Sequence, residues 1–68
     1  MKEYVVLFWF EDQTMDPSID NPFAFTCQAE DTAHAEEQCL NSYPGCVIAW
    51  VSMGMSVSET YDSYYEEM

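Results

Sequence analysis

Basic residues are almost missing from this chain. One lysine, Lys2, stands against thirteen acidic residues in 68, and the net charge is −12. An even draw of the two signs gives so few bases about once in a thousand chains. Direct nucleic-acid binding is excluded by this balance, because the phosphate contacts that drive it need Lys and Arg. Glycine is scarce too. Gly45 and Gly54 are the two present, so no glycine-rich phosphate loop exists. Histidine occurs once, as His34, without a serine–histidine–acid spacing around it, and reads as a surface residue. Close cysteine pairs are absent. Cys27, His34, Cys39 and Cys46 are separated by six, four and six residues, whereas structural zinc sites bring ligands in pairs such as C-x2-C. Three cysteines, an odd number, also argue against a secreted disulfide framework, and a reducing cytoplasm is the expected location. There is no apolar stretch of about 20 residues, so no membrane span is expected. A signal peptide is not expected either, because Glu11 and Asp12 follow the first apolar run at once. Asp12, Asp16 and Asp20 are spaced by four, unlike the two-residue spacing of calcium loops. Glu36-Glu37 and Glu66-Glu67 are helix neighbours that point apart, which does not suit paired acid–base work. No enzyme, no metal and no cofactor is expected.

What the chain does have is apolar content: 49% hydrophobic and 16% aromatic, too much for a disordered acidic tail. A chain this short buries about 60% of its unfolded surface in one domain. Tyr4 to Phe10 is β-branched and aromatic throughout, a strand with both faces covered and hence central. Glu11 to Pro22 carries two prolines and four acids without periodicity, and reads as a long loop, either functional or mobile. Phe23 to Gln28 alternates, with Phe23, Phe25 and Cys27 on one face. Asp31 is the expected N-cap of a helix from about Thr32 to Tyr43, ended by Pro44-Gly45. Its apolar stripe is Ala35, Cys39, Leu40 and Tyr43, while Glu36, Glu37, Gln38 and Asn41 face water. Cys46 to Val51 is a third strand.

The predicted fold class is α+β: a three-stranded antiparallel sheet in the order 2-1-3 with one packed helix, β-β-α-β. Residues 1–53 form that core. Residues 54–68 form an acidic, tyrosine-rich C-terminal segment. In it Val57, Tyr61, Tyr64, Tyr65 and Met68 fall at helical spacing, and Ser56 with Glu59 fits a capping box. The segment reads as a short amphipathic helix or as a frayed acidic tail. The second face of the central strand needs cover from this segment, from a second copy in a homodimer, or from a target.

The candidate partner-binding residues are Glu59, Tyr61, Asp62, Tyr64, Tyr65, Glu66 and Glu67 in the C-terminal segment, with Glu11, Asp12, Asp16 and Asp20 in the loop. Tyrosine supplies rigid contact area and carboxylates pair with arginines. The tyrosines are read equally as a stripe packed on the sheet.

The run from Phe23 through Ala29-Glu30-Asp31-Thr32-Ala33, Ala35-Glu36-Glu37 and Cys39 to Tyr43-Pro44-Gly45, Val47, Ala49 and Val51 resembles small phage-encoded β-β-α-β proteins. Among them it is similar, over about Lys2 to Met53, to coliphage inhibitors that clamp onto host RNA polymerase. The basic residues those inhibitors use have no counterpart here, so no binding residues carry over. The acidic balance looks like that of phage nucleic-acid mimics such as anti-restriction, anti-CRISPR and uracil-DNA glycosylase inhibitors. The resemblance implies a small non-enzymatic inhibitor acting on a basic surface of a host nucleic-acid enzyme. The alternative is a structural or regulatory oligomer whose acidity serves solubility.

Overall fold

The chain forms β1 (Lys2–Trp9), β2 (Phe23–Ala29), α1 (Thr32–Ser42), β3 (Val47–Met53) and α2 (Val57–Glu66). The structure is a computed structural model and describes residues 1–67; Met68, expected to end the C-terminal stripe, lies outside the described residues. The sheet order is β2-β1-β3, and β1 runs antiparallel to both neighbours.

The apolar run dictates this arrangement. Tyr4 through Trp9 are all buried, and their side chains alternate between the two faces of the sheet. On one face Tyr4, Val6 and Phe8 meet Ala35 and Cys39 of α1, with Ala29 and Cys46 completing the core. On the other, β1 places Val5 beside Ser52 and Leu7 beside Trp50. There α2 supplies the cover, through a buried Thr60 against Ser52 and Tyr64 against Trp50, ring centroids 5.9 Å apart. Each large apolar side chain buried this way contributes about 1.5–3 kcal/mol, so a two-sided strand is stable only when both helices are seated.

A bulge refines the fit of β3. Leu7 pairs with Trp50 but Phe8 pairs with Ile48, which leaves Ala49 as the extra residue. The shift returns Ile48 to the α1 face, where it packs against the core beside Val51. Asp31 caps α1 by accepting from the His34 N–H at 2.8 Å. Ser56 and Glu59 form a reciprocal capping box on α2. Gly45 and Gly54 bracket β3 with φ of 86° and 72°, a region where a β-carbon is strained.

Several sequence expectations need correction. β1 begins at Lys2 and ends at Trp9, β2 runs one residue further to Ala29, and β3 is shifted to Val47–Met53. Leu40, placed on the apolar stripe of α1, is 43% exposed, because the contact with the sheet is filled by Ala35 and by the adjacent Cys39. Tyr43 is 39% exposed even though its ring stacks on Phe8. Val57 is exposed as well, at the first turn of α2. Gln38, expected in water, is half-buried and donates to the Gln28 carbonyl at 2.8 Å, tying α1 to β2. His34 is half-buried rather than on the surface, its Nδ1 accepting from the Glu30 N–H at 3.2 Å.

Candidate functional site

Twelve of the thirteen acids are exposed, and Glu36 is half-buried. Topology distributes them unevenly. α1 ends beside Phe8 and Phe10 through Tyr43. α2 starts against Tyr4, Val5 and Thr26, where Ser56 and Val57 help line a shallow cleft of about 180 Å³. It then runs back until Tyr61 and Tyr65 reach Pro22 and Asn21. Both helices therefore aim their C-terminal ends at the end of the sheet that carries the β1–β2 loop. Each such end carries a partial negative charge of roughly half an electron, and neither has a basic residue in its last turn. Glu11, Asp12, Asp16, Asp20, Glu66 and Glu67 gather at the same end. Lys2 lies at the opposite one, paired across the sheet with Ala29.

The loop is ordered by its own polar side chains. The Gln13 side-chain carbonyl accepts from the Phe10 N–H at 2.9 Å, and its amide donates to Asp20 Oδ2 at 3.0 Å. One glutamine thus holds the two ends of the loop together. Asp16 accepts from both the hydroxyl and the N–H of Ser18, at 2.7 and 3.0 Å. These bonds, the hydroxyl's foremost, hold its carboxyl below the usual range.

The C-terminal candidates divide by role. Glu59 Oε1 is engaged by the Ser56 N–H at 3.3 Å, so it caps the helix. Tyr61 donates to the Pro22 carbonyl at 2.5 Å, and Tyr65 donates to Asn21 Oδ1. Burial, reinforced by neighbouring Tyr65, pushes the Tyr61 phenol up. Tyr64 packs on Trp50 and tilts against Tyr65, centroids 5.5 Å apart. The three tyrosines therefore dock α2 onto the sheet and the loop, and bring the two candidate sets side by side. Asp62 and Glu66 of α2, and Glu67 at its C-cap, are left exposed.

Sequence reasoning missed an aromatic cluster at this end. Phe23 and Tyr43 each stack on the buried ring of Phe8, at 5.8 and 4.8 Å, and Phe10 meets both edge-on at 5.0 and 5.9 Å. Phe23 remains 47% exposed. The available signal was positional: Phe10, Phe23 and Tyr43 each sit at the boundary of an element, and the antiparallel order brings those boundaries to one end.

Among the described residues no three His, Cys, Asp or Glu side chains gather as metal ligands. Cys39 and Cys46 are buried thiols in contact, Sγ atoms 3.9 Å apart. Burial first, and then the Cys46 thiol, push Cys39 up to about 12, so it stays protonated and unreactive. Among the described residues no helix is long and apolar enough to cross a membrane. Comparison with protein-family models, with curated proteins and with solved structures gives no match for this chain.

Proposed function

We propose that this protein is a non-enzymatic, phage-type inhibitor that occupies a basic surface of a nucleic-acid-processing protein in its host's cytoplasm, partly by presenting charge as nucleic acid does. One observation carries the reading: an almost base-free set of exposed carboxylates is gathered with two helix C-termini at the loop end. Such a field attracts basic proteins and speeds their encounter. Self-repulsion makes the same field costly to the compact state, which favours a use for it. Asp62, Glu66, Glu67, Glu11, Asp12, Asp16 and Asp20 provide the charge. Glu59, Tyr61, Tyr64 and Tyr65 hold the surface in shape.

Capture of host proteins on the immobilised chain at low and high salt tests this, followed by competition of each captured protein with duplex DNA and with RNA. Salt-sensitive capture of a nucleic-acid-binding protein that nucleic acid displaces supports the reading. Capture that nucleic acid leaves intact overturns the mimicry. The competing reading, a regulatory or structural oligomer, draws on the open outer edges of β2 and β3. Sedimentation as a defined oligomer with no captured protein would favour it instead.

A further inference from the structure

The geometry points to the aromatic end of α1 as the anchor point for an arginine-bearing segment of a protein partner, its guanidinium stacked on Tyr43 or Phe23 and paired with Glu11. This rests on the reading of the protein as a binder of basic surfaces, and gives that surface a centre.

Three features that attract a cation meet at one place. The first is the ring cluster. Tyr43 and Phe23 each spend part of one face on Phe8 and keep 39% and 47% of their surface open. Exposed aromatic faces hold guanidinium groups through the ring quadrupole. The second is the C-terminal end of α1. Its last turn carries no basic side chain to answer the partial negative charge of the carbonyls. The third is the Glu11 carboxylate. Its Oε2 lies 3.7 Å from where a β-carbon on Gly45 would stand. Gly45 belongs to the turn closed by the Cys46 N–H on the Tyr43 carbonyl, so the Glu11 carboxylate lies beside the turn that follows α1.

Charge complementarity selects the occupant. A second copy of this chain offers no guanidinium, since its one base is Lys2, and it brings a further net charge of −12. An apolar partner would bury Glu11 without a counter-charge, which is unfavourable. A planar guanidinium stacks on a ring and takes a carboxylate in a two-pronged bond, whereas an ammonium does neither as well. The partner's segment is therefore arginine-bearing in preference to lysine-bearing.

The test uses two synthetic peptides of equal length and charge, an Arg-Gly repeat and a Lys-Gly repeat, titrated into the isotopically labelled full chain at near-physiological salt. The expected result is that the arginine peptide shifts the amides of Phe23, Tyr43 and Gly45 and binds about fivefold tighter than the lysine peptide. Phe23→Leu and Tyr43→Leu keep apolar bulk but remove the π-face, so they should weaken the arginine peptide more than the lysine peptide and erase that preference. Glu11→Gln should weaken arginine-peptide binding by a similar factor. Phe23→Leu alters the more exposed ring, and the native pattern of amide shifts confirms that it is folded. Equal affinities for the two peptides, or a preference that survives both leucine variants, overturns the anchor. If equal binding also falls on charge reversal at Asp62, Glu66 and Glu67, the anchor is wrong while the broader acidic reading stands. If neither peptide binds even at low salt, both fail together.

Discussion

The hydroxyls of Ser52 and Thr60 lie 2.6 Å apart at the centre of the contact between β3 and α2. Thr60 donates its proton to the Ser56 carbonyl at 2.8 Å, which leaves Ser52 as the donor to Thr60. Thr60 is fully buried, so its replacement strands a polar partner. Thr60→Val should cost about 1–2 kcal/mol and Ser52→Ala about 1 kcal/mol. The double variant should cost less than the sum by about 0.5 kcal/mol or more, since no donor is then left unanswered. Denaturant melts of the four proteins measure this. Strict additivity would mean that the two hydroxyls act independently.

Cys39 gives a pH dependence with a definite sign. Its thiol is raised to about 12 in the folded state by burial and by Cys46. In the unfolded chain it titrates near 8.5. A raised folded value makes stability complete below about pH 8.5 and draws it down as pH climbs toward the folded value. Burial of Tyr61 adds a shift in the same direction. The urea midpoint should therefore fall steadily between about pH 9 and 11. A Cys39→Ala variant should flatten that fall. Alkylation at neutral pH should label half-buried Cys27 before either buried thiol. Cys39→Asp should cost about 2–4 kcal/mol, because it leaves a carboxylate in the core.

Salt should stabilise this protein. Thirteen acids and one base make repulsion the main long-range electrostatic effect at neutral pH. At about 0.5 M salt the screening length falls to roughly 4–5 Å, shorter than most distances between exposed charges. Melting temperature should rise by several degrees relative to low salt. A protein that melts earlier in salt would show that local attractions, such as the bonds Ser18 makes to Asp16, outweigh the repulsion.

Some of this architecture was legible because single residues announce it. A strand apolar at every position from Tyr4 to Trp9 must lie between two covers, which places it centrally and calls for something on its second face, where α2 is found. Asp31 and Pro44-Gly45 bound α1, and Ser56 with Glu59 starts α2, through chemistry local to a few residues. The rest depends on contacts distant in sequence. Nothing near Ala49 marks a bulge; it arises because Ile48 and Trp50 must reach opposite faces. Gln13 orders the acidic loop by reaching Asp20, and no turn signature encodes that bond. The site was half legible. The candidate acids are exposed, but whether a tyrosine docks a helix or faces a partner depends on Pro22 and Asn21, roughly forty positions away in the chain.

That division of labour yields a kinetic prediction for a complex with the proposed basic partner. Asp62 and Glu66 on α2 and Glu67 at its C-cap are exposed, so charge reversal there should chiefly slow association and reduce its salt dependence. Tyr65→Phe removes the hydroxyl that holds Asn21 and keeps the ring. It should loosen α2 from the loop, visible as faster amide exchange over residues 57–66, and speed dissociation without changing the salt slope. Tyr64→Ala strips the ring from Trp50 and should destabilise the free protein by about 1–3 kcal/mol before any partner is present. Stopped-flow association and surface-based dissociation rates separate these effects. If Tyr65→Phe leaves exchange unchanged and still weakens binding, the tyrosine touches the partner directly. If charge reversal changes dissociation alone, the carboxylates are buried contacts in the complex and do not act as a steering field.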